Sequence, residues 1–159
     1  MQRCYLTKLF LTLPFIFCFG FVMAQPKPAE QKTDLPTDYL TTDFHAGRRD
    51  ALRKLMPDKS VMAVFAYPTR TFSNDVEYLY HQNPDMYYFS GYKEPHSLLL
   101  IFKDEQTDSI GNKYKEILFV QKRNPQAERW TGKRLGTDGA KEKLGLKTVF
   151  NASEFNNFS

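Results

Sequence analysis

Apolar residues recur along the chain with two spacings, and each predicts an element. From Phe44 to Met56 they fall at positions 44, 51, 52, 55 and 56, one face of a three-turn helix. Thr42-Asp43 reads as its cap and Pro57 as its stop. Arg48, Arg49 and Arg53 are expected on the opposite side, and His45 as a surface residue of the same helix. Ser60 to Ala66 is a near-continuous apolar run, the pattern of a strand buried on both faces. Ser97–Lys103 and Lys115–Gln121 predict two more strands, joined as a hairpin across the polar stretch 104–112. Asp138–Leu144 predicts a short helix stopped by Gly145, and Lys147–Phe150 a short strand. Ser153 then reads as a cap with Glu154 just inside a further helix. Helices alternating with strands in this order imply an α/β fold with a mixed sheet covered by helices.

Two segments keep neither period. Asp75 to Pro95 interleaves five tyrosines and Phe89 with acids, amides and two prolines. Such a stretch either packs as a turn-rich loop or builds a surface that touches a partner, because tyrosine joins an apolar face to a polar tip. The second segment runs from Arg123 to Gly136 and carries Trp130, the single tryptophan. Gly91 and Gly132 are expected at turns with unusual backbone angles.

Composition changes the picture at the N-terminus. Arg3 and Lys8 precede an apolar run from Leu9 to Val22, and Val22-Met23-Ala24 ends in small residues. Residues 1–24 therefore read as a secretory signal peptide, which predicts an exported, periplasmic or secreted protein. The run is interrupted by Pro14 and Gly20 and is short for a membrane span. Both cysteines, Cys4 and Cys18, lie in this leader, so no disulfide is expected in the mature chain. Residues 25–38 are rich in proline and charge and read as a disordered linker, which leaves a single domain over 39–159. The formal net charge is +4, with Arg3 and Lys8 carrying part of it. Acids separate the remaining cations, so neither nucleic acid nor membrane is indicated as a partner.

Three stretches taken together carry a resemblance. They are Phe44-x-x-x-Arg48-Arg49, the tyrosine-rich run ending Tyr88-Phe89-Ser90-Gly91-Tyr92-Lys93-Glu94-Pro95, and Glu128-Arg129-Trp130-Thr131-Gly132-Lys133-Arg134-Leu135-Gly136. In this order and at these separations the chain closely resembles the N-terminal domain of Xaa-Pro aminopeptidases (aminopeptidase P), of the creatinase/pita-bread metallopeptidase family. The resemblance implies a creatinase-like N-terminal domain with a mixed sheet of about six strands flanked by helices. It also implies an enzyme that removes the N-terminal residue before proline, using two Mn(II) ions. Those ions would be held by a C-terminal pita-bread catalytic domain whose ligands are absent here, so this chain alone is expected to be non-catalytic. The final helix stops before three turns are complete, which reads as a truncated C-terminal end.

By the same resemblance, this domain packs in a homo-oligomer, dimer or tetramer, and lends side chains to a neighbour's pocket. Asp75 matches an acid near the amino end of an Xaa-Pro peptide, and Trp130 matches a wall beside the proline. From the residues alone, Asp75 is equally a turn or cap residue and Trp130 equally a core anchor. Tyr87, Tyr88 and Arg134 are candidate interface residues. Thr131 stands where relatives often have an aromatic, which bears on the detailed shape of that pocket. His45, His81 and His96 have no spacing suited to a metal. Gly132-Lys133-Arg134-Leu135-Gly136 lacks both the Ser/Thr and the helix start of a phosphate loop. A free-standing secreted module of the same fold, binding peptides or proteins through its aromatic residues, is the alternative reading.

Overall fold

A computed structural model describes residues 40–157. The leader, the whole linker, Tyr39 and the last two residues of the chain lie outside that range. Helix α1 (Thr42–Leu55) is followed by strand β1 (Val61–Phe65), a hairpin of β2 (Thr71–Ser73) and β3 (Val76–Glu77), and helix α2 (Pro84–Ser90). Strands β4 (Leu98–Thr107) and β5 (Lys113–Val120), helices α3 (Glu128–Thr131) and α4 (Gly136–Leu144), strand β6 (Val149–Asn151) and a 3-10 turn (Ala152–Asn157) complete the order.

The fold is α/β with a mixed sheet, as expected. Six strands are formed among the described residues. Four of them make the main sheet in the order β1-β4-β5-β6, and the β2–β3 hairpin stands apart. β1 and β4 are antiparallel, with Val61 opposite Phe102 and Phe65 opposite Leu98. β4 and β5 are antiparallel, with Leu98 opposite Phe119. β5 and β6 are parallel, with Leu118 beside Val149. One face turns Val64, Leu99, Ile101, Leu118 and Val120 toward Met86 of α2 and Ala140 of α4. The opposite face gathers Leu98, Ile117 and Phe119 with Phe150, and Phe155 of the 3-10 turn stacks edge-on against Phe119 at 5.3 Å.

Several boundaries differ from the sequence reading, each for a local reason. Thr41, not Thr42-Asp43, caps α1, accepting the Phe44 amide on its hydroxyl at 3.2 Å. The polar stretch 104–112 is strand as far as Thr107, because Asp108 closes a tighter turn. Its carboxylate accepts the amides of Ile110 at 3.0 Å and Asn112 at 2.8 Å. Beyond the core, Glu105 and Lys113 pair across the extended strands. The helix expected over Asp138–Leu144 begins at Gly136, the strand expected over Lys147–Phe150 lies at Val149–Asn151, and Ser153 falls inside a 3-10 turn rather than capping a helix.

β1 is not buried on both faces. It is an edge strand, with Val61 53% and Phe65 61% exposed on the side away from the helices. The hydrophobic run recorded composition and said nothing of which positions find a neighbour.

The inner stripe of α1 is the larger surprise. His45 and Arg49 are buried, at 4% and 3% exposed, in line with half-buried Leu52 and Met56, whereas Leu55 faces solvent. These positions follow helical spacing as well as the expected ones do. Both side chains find acceptors at the end of α2, whose last carbonyls have no partner within their own helix. The His45 Nδ1 lies 2.9 Å from the Tyr88 carbonyl, and Arg49 donates to the Phe89 carbonyl at 2.7 Å. Arg49 also donates to Glu116 on β5 at 3.2 Å, and Arg53 pairs with the other oxygen of the same carboxylate. Arg53 further donates to the Phe102 carbonyl at 3.2 Å, and Lys103 to the Arg53 carbonyl at 2.6 Å. Burial draws both guanidinium groups below their ordinary value, with Asp50 opposing. Only Arg48 stays outside, over the Phe44 ring. Two arginines on one glutamate therefore fasten α1 across the β4–β5 hairpin.

Candidate functional site

The aromatic segment is built in two pieces. Its first part belongs to the β2–β3 hairpin, whose tip holds Asn74 at φ 48° and Asp75 beside it. Asp75 is exposed there, so it is a turn residue whose carboxylate faces outward. Phe72 and Tyr78 meet edge-to-face at 5.1 Å, and both are more than half exposed. Leu79 follows at 98% exposed. Tyr67, Arg70, Tyr78, Leu79, Tyr80 and His81 surround a cleft of about 320 Å³.

The second part is the helix α2, which a periodicity argument passes over because it has only seven residues. Local chemistry specifies it. Pro84 occupies the first turn, the Asn83 side chain accepts the Asp85 amide at 3.0 Å, and Gly91 ends the helix at φ 73°. A Cβ on Gly91 would lie 2.9 Å from His45 Nε2, so glycine is required for space as well as angle. Tyr87 and Tyr88 project from this helix toward α1. Tyr87 meets His45, and Tyr88 meets Phe44 at 5.7 Å while remaining 40% exposed.

Glu94 ties this region to the tryptophan segment. Its carboxylate accepts the Tyr92 hydroxyl at 2.8 Å and the Leu135 amide at 2.8 Å. Gln82 donates to the carbonyls of Tyr92 and Glu94, and accepts the Tyr80 hydroxyl. Burial, reinforced by the Glu94 charge, pushes the Tyr92 hydroxyl well above its ordinary value, and Arg134 opposes the shift. Arg134 is half-buried beside these tyrosines.

The tryptophan stands on α3, a single turn. Asn124 accepts the amides of Gln126 and Ala127, and Arg123 grips Glu128 with two hydrogen bonds of 3.0 and 2.9 Å. Those bonds hold the Glu128 carboxyl below its ordinary value. Gly132 leaves the turn at φ 81°. Trp130 is 91% exposed, which removes the core-anchor reading. A helix does start at Gly136, contrary to the sequence expectation, but no Ser or Thr follows Lys133.

The fold brings the two segments to the borders of one cleft of about 530 Å³. Thr69 comes from the chain leading into β2, Glu77 from β3, and Asn124, Ala127, Glu128 and Thr131 from the α3 segment. Asp75 and Trp130 themselves do not line it. Among the described residues no three His, Asp or Glu side chains come together as metal donors. The described residues therefore offer no donor set for the two manganese ions that the resemblance assigns to the C-terminal domain.

Comparison with known proteins bears directly on these segments. The family model described as Aminopeptidase P, N-terminal domain, matches residues 45–159. The chain belongs to this family. Xaa-Pro aminopeptidase of Escherichia coli (strain K12) is 41% identical over 109 residues, which is 69% of this chain and 24% of that protein. Xaa-Pro aminopeptidase 3 of Homo sapiens is 38% identical over 100 residues, 62% of this chain and 19% of that protein. Among solved structures, an Escherichia coli aminopeptidase P variant in complex with substrate superposes with a TM-score of 0.65 at 38% identity. It covers 74% of this chain and 26% of that one. Proline aminopeptidase P II from Yersinia pestis gives 0.64 at 34% identity, with the same coverage. The chain thus spans about a quarter of the first of these relatives and of both structures, as the N-terminal domain of the aminopeptidase P fold.

Proposed function

We propose that this domain shapes the substrate pocket of an exported Xaa-Pro aminopeptidase, acting across a subunit contact on a neighbouring catalytic domain. Two Mn(II) ions would be held in the portion of the full-length protein outside this chain. The observation that carries the reading is Trp130, braced by the Arg123–Glu128 grip and bare to solvent. A flat indole packs on the stiff pyrrolidine of a proline with little loss of freedom on either side. The outward carboxylate of Asp75 suits the free ammonium of a peptide N-terminus. Tyr87, Tyr88 and Arg134 belong to the oligomer contact, where the exposed part of Tyr88 continues from the packed α1–α2 pair.

The test is Trp130→Ala in the full-length protein. The residue binds without breaking bonds, so KM for an Xaa-Pro peptide should rise by more than kcat falls. An unchanged KM would remove Trp130 from the pocket. Export is tested separately, by whether the mature protein begins at Gln25.

The exposed pair of Phe72 and Tyr78 also suits a free-standing binding module. In that case proline-rich peptides should change Trp130 fluorescence in the chain alone, and an unchanged signal removes that reading's main support.

A further inference from the structure

A second cleft, of about 670 Å³, is lined by residues that flank the α3 turn in the chain. Lys122, Arg123, Lys133, Arg134 and Lys143 line it, against the carboxylates of Asp138 and Glu142. Lys122 and Arg134 border the hairpin cleft as well, so a cationic edge runs past the base of α3 from one cleft to the other. Arg123 is fixed twice, by Glu128 and by its stem against Gly136, where an added Cβ would come within 2.6 Å. Lys122, Lys133 and Lys143 make no ion pair among the described residues. Five cations thus line the cleft against Asp138 and Glu142, with Arg123 already paired to Glu128, and this leaves an excess of positive charge that a further anion would relieve.

We propose that this cleft binds a carboxylate of the substrate on the C-terminal side of its proline. The inference rests on the placement of Trp130 beside that proline. Everything beyond the proline must leave the pocket past Trp130, and Lys133 and Arg134 follow it closely in the chain. An extended peptide advances about 3.3 Å per residue, so a carboxylate one or two residues beyond the proline lies within reach of long cationic side chains. Two sources offer this group, the terminal carboxylate of a short peptide and an acidic side chain. The domain would then select short Xaa-Pro peptides, or those acidic after the proline.

The test uses the full-length enzyme with three peptides: Ala-Pro-Ala-Ala as the free acid, its C-terminal amide, and Ala-Pro-Asp-Ala as the amide. At low salt, KM for the free acid should lie roughly three- to fivefold below that of its amide, the scale of exposed ion pairs. The preference should shrink toward unity as salt rises, and in the double variant Lys122→Glu, Lys133→Glu. If the Asp-containing amide regains the preference, side-chain carboxylates are bound too; if it does not, the terminus alone is recognised. No acid preference in the wild type, or one that survives both salt and charge reversal, overturns the proposal. It is also overturned if charge reversal dissociates the oligomer while leaving the acid-to-amide ratio intact, since the cleft would then hold a neighbouring subunit. Trp130→Ala with unchanged KM for all three peptides would instead refute the placement of the tryptophan.

Discussion

Replacing Glu116 by glutamine removes one negative charge that serves two arginines. Arg49 is buried almost completely, and Glu116 itself is only 22% exposed. Breaking a buried ion pair by removing one partner costs about 3–5 kcal/mol, because the other charge is left uncompensated. Water reaches Glu116 in part, and Arg53 keeps its carbonyl acceptors, so about 2–3 kcal/mol is expected here. Arg49→Met removes the other partner and should cost less. It forfeits a charged hydrogen bond to the Phe89 carbonyl, worth about 1.5–3 kcal/mol. It also relieves the burial of a guanidinium whose Nε has no partner, a burden of similar size, while Glu116 keeps Arg53. The net is about 1 kcal/mol. Urea denaturation followed by far-UV circular dichroism separates the two, since a 3 kcal/mol loss shifts the midpoint by about 1–2 M. An Arg49→Met variant that loses as much stability as Glu116→Gln would refute the claim that uncompensated charge dominates this contact.

Gly91→Ala should destabilise the domain by about 2–4 kcal/mol, since it combines a positive φ with a Cβ 2.9 Å from His45; a loss under about 0.5 kcal/mol in the same denaturation would show that α1 and α2 part easily. The Arg123–Glu128 grip gives a pH prediction. The folded Glu128 carboxyl is depressed, so its contribution is present above the unfolded value of about 4.3 and is lost as pH falls through the lower folded value. The anisotropy of Trp130 fluorescence should therefore hold steady from pH 7 to pH 5 and fall only below about pH 4. A drop already at pH 6 would place the bracing of α3 elsewhere. Together with the kinetics of Trp130→Ala and of the cationic cleft, these outcomes cover both the scaffold and its proposed role.

Strands β4 and β5 and helix α4 were legible in sequence over their central residues, where burial and composition agree, but not at their ends. α1 was legible as a helix but not in its rotation. Hydrophobic spacing assigns His45 and Arg49 to water, whereas the free carbonyls of α2 and the Glu116 carboxylate offer them partners inside. Those partners lie far away in sequence, so no local pattern announces them. α2 was missed for the opposite reason: it is too short for a period, and its evidence was the Asn83-Pro84 start with the Gly91 stop. At the candidate site, the exposure of Trp130 was foreshadowed by Lys133 and Arg134. The link between the two motif regions through Glu94 was not visible, since a lone glutamate before a proline carries no signal of what it will hold.

The fastening of α1 has a consequence for how the chain comes into being. Arg49 and its glutamate are 67 positions apart. A ribosome adding about 5–20 residues per second needs roughly 3–13 s to cover that interval. For the earlier part of it α1 has no partner for its inner stripe; the α2 carbonyls that take His45 and Arg49 lie 43 and 40 positions away, and the Glu116 carboxylate comes only at the end. The N-terminal helix therefore completes its docking only after the β4–β5 hairpin emerges, and the growing chain presents an open interval to whatever handles it during synthesis.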